Sequence, residues 1–227
     1  MATSTIRDDT GAWGLSWVHW SLLAGAVLLL VYVQWRPETI SERVVRDGLL
    51  FIVGPLGLGL AFGRRVGWRV DRRALRNTAL LSAFVLPFYL VGSTLPTVRS
   101  FYPMWEVTGG LAGFLPHAVQ LFVLALAAET YFRGLLCVGV RDLGPACVLI
   151  SPVVYAVLHA GKPPIELALS GPTDVLFGAV DYHADSILPS VVAHGGGLVL
   201  LDWLVLHEPI LSPGAVVEAL SWLPVPV

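Results

Sequence analysis

The sequence predicts an all-α protein, a polytopic integral membrane bundle of about seven helices of roughly 20 residues each. Hydrophobic residues make up 56% of its 227 residues. Only 13% are charged, against about 25% in an ordinary soluble domain. The mean hydropathy is +0.74, and the apolar residues fall into stretches separated by short polar segments. The lipid bilayer is therefore the expected surroundings of most of the chain.

Most of the apolar stretches are long enough to cross a bilayer, which takes about 17–25 helical residues. Two are shorter, so the expected number of spans is roughly six to eight. Trp17, Trp20 and Trp35 flank the first stretch, as interfacial aromatic residues do. No soluble domain is visible, so residues 1–227 are predicted to form a single membrane domain. The stretches lie near residues 17–35, 48–63, 78–96, 112–138, 143–160, 170–182 and 187–206, with a shorter apolar tail at 209–227 expected at the membrane surface.

The orientation follows from the arginine-rich segment "GRRVGWRVDRRALR", residues 63–76, which holds six of the 14 Lys and Arg residues. Basic loops prefer the cytoplasmic side of a membrane. Two helices precede this loop, so the N-terminus is also expected in the cytoplasm, and Arg141 falls on the same side. The excess of arginine over lysine is typical of a GC-rich bacterium, so the bacterial inner membrane is the expected location. With a net charge of −2 and no basic surface, nucleic acid is not an expected partner.

Ionisable side chains interrupt three of the apolar stretches. Glu129 and Arg133 are four residues apart and share a helical face. Tyr155 and His159 share a face at the end of another stretch, and His194 lies within the last one, before three glycines. Each charge in a membrane core costs about 2.5–3.5 kcal/mol on insertion scales. Taken singly, the ion pair and the histidines are compatible with purely structural roles, but together they predict one intramembrane cavity.

Such a set of side chains has the chemistry to hydrolyse an amide. A carboxylate beside a neutral histidine can deprotonate water, and a second histidine can stabilise the resulting oxyanion. The chain has no H-E-x-x-H zinc motif and no G-x-S-x-G nucleophile. A metal held by Glu129, His159 and His194 fits less well, so no metal and no other cofactor is expected. The run of Asp181, His183 and Asp185 is interpreted as a polar turn.

Three segments on these stretches resemble the motifs of a known family. "AETYFRG", from Ala128, resembles E-E-x-x-x-R, and "YAVLH", ending at His159, resembles F-x-x-x-H. "GAVDYHADSILPSVVAH", ending at His194, resembles the third-motif region. The chain is thus similar, over about residues 112–207, to the CAAX protease and bacteriocin-processing (Abi) family. The resemblance implies an all-helical intramembrane endopeptidase that uses glutamate and histidine, without a metal, on a membrane-associated protein or peptide.

Carried over by motif, the resemblance matches Glu129 to the second glutamate of the first motif. Two positions depart from the pattern: Ala128 stands where the leading glutamate, the general base, is usual, and Leu198 stands where a polar residue is usual. Asp202, two turns beyond His194, is a polar alternative on roughly the same face. The residues predicted to be catalytic are Glu129, His159 and His194, and those predicted to support the site are Arg133, Tyr155 and Asp202.

Three functional hypotheses follow from the sequence. The first is an active endopeptidase of divergent pattern, in which Glu129 takes the role of the base. The second is a relative that binds membrane peptides or a partner protease without cutting. The third is an unrelated transport or scaffolding protein whose buried polar groups serve conduction or packing.

Overall fold

The computed structural model describes residues 15–107 and 110–226, and within these ranges every regular element is a helix. This confirms the all-α polytopic fold class. Residues 1–14, for which a cytoplasmic location is predicted, lie outside the described part of the chain. The helices are α1 (Trp17–Gln34), α2 (Ile40–Asp47), α3 (Gly54–Ala61), α4 (Arg72–Gly92), α5 (Pro96–Arg99), α6 (Leu111–Glu129), α7 (Pro152–Leu158), α8 (Pro164–Ala184), α9 (Leu188–Val205) and α10 (Pro213–Ala219).

Three further helical segments join these helices. The π-helical segment Gly48–Val53 makes α2 and α3 one continuous helix, Ile40–Ala61. The π-helical segment Thr130–Val138 extends α6 to a helix of 28 residues, Leu111–Val138. The 3-10 segment Arg141–Leu149 precedes α7. Single π turns inside α-helices are frequent at functional sites, and the second one begins directly after Glu129.

Among the described residues, five helices are long and apolar enough to cross a membrane. They are Trp17–Gln34, Ile40–Ala61, Arg72–Gly92, Leu111–Val138 and Leu188–Val205. A sixth span results if Arg141–Leu149 and Pro152–Leu158, which meet at 41°, are counted as one broken span. Six is the lower end of the predicted range. The predicted stretch 170–182 lies within α8, which has 21 residues but includes Glu166, Asp174 and Asp181 and does not qualify by composition.

The helix starts correct two boundaries that hydropathy had placed too late. The stretch predicted from residue 78 begins at Arg72, because the Asp71 side chain caps the helix by accepting from the Ala74 N–H at 2.8 Å. The stretch predicted from residue 48 begins at Ile40, where Thr39 accepts from the Glu42 N–H. The cap and the charged first turns are polar, so a window that averages hydropathy excludes them.

The bundle is assembled around α9, which packs along both α4 and α6. Small residues on α9 allow this contact, since a Cβ at Gly197 would overlap the Tyr89 ring and one at Gly195 would meet the Phe122 ring at 2.8 Å. Large apolar side chains remain exposed on the outside of the bundle, for example Leu60, which is 81% exposed, and Leu80, which is 63% exposed. Such a surface suits contact with lipid.

The arginine-rich loop lies at one end of the bundle together with the turn between α8 and α9. The Ile187 N–H donates to the Gly67 carbonyl at 2.9 Å. Asp185 pairs with Arg69 at 3.0 Å and also with Arg141. The structure therefore brings Arg141 to the same end as the basic loop, as the sequence predicts. Which side of the membrane this end faces stays a prediction.

Candidate active site

The centre of the site is a buried pair between α6 and α9. Oε1 of Glu129 lies 2.6 Å from Nδ1 of His194. Glu129 is fully buried, with 0% exposure, whereas the His194 side chain keeps 16%. Because α6 and α9 pack along one another, the two motifs meet although they are 65 residues apart. The structure thus joins two of the three residues predicted to be catalytic.

Arg133 holds this pair from the opposite side. Its Nε lies 3.1 Å from Oε2 of Glu129, at ion-pair distance but without hydrogen-bond alignment. Its Nη1 donates to Asp174 of α8, and Asp174 accepts from the Ser151 hydroxyl at 2.6 Å. A guanidinium between two carboxylates reduces the cost of burying all three charges. Sequence reasoning missed Asp174, although an acid within the apolar stretch 170–182 was the available signal.

Tyr155 and His159 form the next layer, on α7 and at its end. The Tyr155 ring lies 4.9 Å from Cζ of Arg133 and 4.4 Å, between ring centroids, from His159. Nδ1 of His159 lies 2.8 Å from the Tyr155 carbonyl oxygen, so Nδ1 carries the proton and donates. His159 follows the last residue of α7, and burial lowers its pKa. The neutral ring therefore presents the lone pair of Nε2.

A second polar cluster adjoins His159 and was not predicted. Glu166, in the first turn of α8, accepts from the Tyr102 hydroxyl at 2.8 Å and from Lys162 Nζ at 2.7 Å. Lys162 also donates to the Tyr102 oxygen at 2.8 Å. Burial, together with Glu166, raises the pKa of Tyr102, so its phenol stays protonated. Oε1 of Glu166 lies 3.8 Å from Nε2 of His159.

Asp202 has a different neighbour from the one the sequence indicated. Its carboxylate lies 2.7 Å from Nε2 of His117 on α6, and both side chains are buried. Asp202 is therefore one half of a separate buried pair between α6 and α9. His117 is also a buried polar residue that the sequence did not predict as part of a site. Tyr89 of α4 interacts electrostatically with both Glu129 and Glu166.

The polar turn predicted for Asp181, His183 and Asp185 is wrong for the first two, which lie in the last turn of α8, and only Asp185 follows the end of the helix. The three side chains have separate structural partners. Asp181 accepts from the backbone N–H and the hydroxyl of Ser190, His183 contacts the Asn77 amide at 3.0 Å, and Asp185 binds two arginines. Over residues 15–107 and 110–226, no three His, Cys, Asp or Glu side chains are arranged to hold a metal ion.

A cavity of about 270 Å³ opens beside this centre, at the end with the basic loop. Its apolar lining includes Leu126 of α6 and Val191 of α9, with Trp68 from the loop. The Trp68 indole N–H donates to the Thr130 hydroxyl at 3.2 Å, next to Glu129. The charged residues of the site do not line this cavity, which is therefore a neighbour of the site.

Residues 111–197 match the family model described as "Rce1-like: Type II CAAX prenyl endopeptidase Rce1-like". The matched part of the chain, fewer than half of its 227 residues, is therefore similar to the CAAX protease family. The matched part contains Glu129, Arg133, His159, Glu166 and His194, and it falls within the region, 112–207, predicted from the motifs except for its first residue. The comparisons with curated proteins and with solved structures gave no match. This similarity supports, in general terms, a membrane protease that acts on a protein substrate.

Proposed function

We propose that the protein is a metal-independent intramembrane endopeptidase that hydrolyses a peptide bond of a membrane-associated protein. The observation that carries the proposal is the buried pair of Glu129 and His194, with Oε1 and Nδ1 2.6 Å apart. The pair lies within two membrane-spanning helices and inside the segment that matches the protease family.

Glu129 works through His194. Both of its oxygens face protein groups, Oε1 towards His194 and Oε2 towards Arg133, and the side chain has no exposed surface. An ionised carboxylate beside Nδ1 fixes the proton on that nitrogen and directs Nε2 to the opposite side of the ring. In the imidazolium form of His194, the Nε2–H on that side donates to the carbonyl oxygen of a bound peptide. Glu129 is thus a positioning residue.

His159 occupies the other side of the proposed reaction centre. Its Nε2 is unprotonated and accepts a hydrogen bond from the attacking water, while its Nδ1 is fixed by the Tyr155 carbonyl. His159 and His194 are close enough to interact electrostatically. A peptide carbonyl between the two rings is attacked by water on the His159 side and polarised on the His194 side.

We infer the orientation from the basic loop. With residues 63–71 in the cytoplasm, the N-terminus is cytoplasmic in a bacterial inner membrane. The opposite end of the bundle, with Lys162 and Glu166, then faces the outside.

Comparative mass spectrometry of protein termini in the source organism tests this function. Cells carry the wild type, His159→Ala, His194→Ala or the control His207→Ala at matched abundance. His207 is exposed and follows the end of α9. We expect uncut precursors with one common junction in both site variants and none in the control. If the termini are unchanged in the site variants while a specific partner still co-purifies, the protein acts as a binding protein and the proposed enzyme function is wrong.

A further inference from the structure

Glu166 has the position and the partners of a working carboxylate. It is the third residue of α8, its side chain is 26% exposed, and Oε1 lies 3.8 Å from the unprotonated Nε2 of His159. This separation exceeds a direct hydrogen bond and lets one water contact both atoms. A water that donates one hydrogen to each atom keeps its lone pairs free for attack.

A capping role does not explain this glutamate. A glutamate at the third helical position usually bonds back to the backbone N–H of the N-cap residue. Here the N-cap is Pro163 and the first helical residue is Pro164, and neither has an N–H. The carboxylate is held instead by Tyr102, which is 64 residues away, and by Lys162. The contact with Tyr102 joins residues far apart in the sequence, and it directs Glu166 towards His159.

The two leading positions of the first motif, Ala128 and Glu129, supply no carboxylate with exposed surface. Position 128, where the motif has its leading glutamate, is alanine and packs against the apolar cluster that contains Phe51 and Tyr131. Glu129 is enclosed by His194 and Arg133. Within the part of the chain that the structure describes, Glu166 is the carboxylate that comes within 4.0 Å of His159.

We propose that Glu166 is the general base of the hydrolysis, in the role that position 128 leaves unfilled, and that Tyr102 and Lys162 position it. This rests on the proposed endopeptidase function. Glu166 takes a proton from the water held with His159 as the water oxygen bonds to the scissile carbonyl carbon. The tetrahedral intermediate places its oxyanion beside His194. The C–N bond then breaks, the leaving nitrogen takes the proton from Glu166, and one water has been consumed to give a carboxylic acid and an amine.

The test uses four variants of the full chain in the termini experiment: Glu166→Gln, Glu166→Asp, Glu166→Ala and the control Glu218→Gln. Glu218 is exposed on α10. The purified proteins are then assayed on a synthetic peptide that spans the junction found with the histidine variants. The Glu166→Ala protein is measured with and without formate, which supplies a carboxylate to the vacated space.

We expect Glu166→Gln to lower the cleavage rate by about 10²–10⁴-fold, the usual contribution of a general base. Aspartate keeps part of the activity, and formate restores part of it to Glu166→Ala, which a merely structural ion pair would not show. If Glu166→Gln cleaves at the wild-type rate while His159→Ala and His194→Ala are inactive, the proposed role of Glu166 is wrong. The proposed endopeptidase function is then unaffected. Unchanged termini in all site variants would overturn both.

Discussion

At the scale of single residues, the site is dominated by the burial of charge. Glu129, Arg133 and Asp174 have almost no exposed side-chain surface. The two carboxylates share the Arg133 guanidinium as a partner. Its single positive charge can neutralise one of the two acids fully or both of them in part. His194 and the Ser151 hydroxyl complete the contacts of the acids. Stability and chemistry therefore depend on the same few side chains.

Arg133→Leu should destabilise the protein strongly. It leaves Glu129 and Asp174 buried without their cation, and breaking a buried ion pair costs about 3–5 kcal/mol. The free energy of unfolding in detergent, from thermal or denaturant titration, measures the loss. Arg73→Leu, at an exposed position of α4, is the matched control and should stay close to the wild type. Equal stability of the two variants would show that the carboxylates are not held by Arg133.

At the scale of elements, the contact between α4 and α9 sets the position of His194. Gly195 and Gly197 follow His194 on α9 and are buried, while Gly196 between them is exposed. The Tyr89 ring of α4 occupies the space where a side chain at position 197 would stand. Close helix approach through small residues is the usual way membrane helices pack. The glycine run thus serves packing next to the site.

Gly197→Ala should separate α4 from α9 and lower stability, since overpacking a tight contact costs about 1–3 kcal/mol. Gly196→Ala is the control on the same helix, because no heavy atom lies within 4 Å of its added Cβ. It should be neutral or stabilising, as alanine favours helix by about 0.8–1.0 kcal/mol over glycine. Unfolding of both variants in detergent gives the comparison. A less stable Gly196→Ala would contradict this packing.

At the scale of the whole molecule, the two ends of the bundle differ in charge and content. One end holds the basic loop, Arg141 and Asp185, which bind one another. The other end holds the Tyr102, Lys162 and Glu166 cluster, which lies across the bundle because α8 runs from Glu166 at its start to the turn at Asp185. The buried pair of Glu129 and His194 therefore lies between the arginine-rich end and the end that carries Glu166, the proposed general base.

Cysteine labelling should place these ends on opposite sides of the membrane. In a background with Cys137 and Cys147 replaced by serine, a membrane-impermeant maleimide added to intact cells or spheroplasts should label Ser100→Cys and leave Arg65→Cys unlabelled. The physical reason is the cytoplasmic preference of arginine-rich loops. Both positions are exposed, and both should react after membrane disruption, which is the control. The reverse labelling pattern would invert the proposed topology.

The helices and part of the site were predictable from sequence. Hydropathy over about 20 residues reports whether a helix can enter lipid, so the fold class and the approximate spans follow from local composition. Ionisable side chains within apolar stretches likewise indicated which residues form the site, namely Glu129, Arg133, His159 and His194. The polar first turns at Ile40 and Arg72 were missed, because their caps depend on single side chains and not on average hydropathy.

The sequence by itself thus determined an all-helical membrane protein, with motifs on three apolar stretches that resemble those of the CAAX protease family. Only the tertiary structure decided the pairing: Arg133 with Asp174, 41 residues away, Asp202 with His117, 85 residues away, and Glu166 with His159 and Tyr102. Each helical residue turns about 100° from the one before it, so partners depend on how neighbouring helices are rotated and packed. That rotation is set by long-range contacts such as Gly197 against Tyr89, which no local window contains.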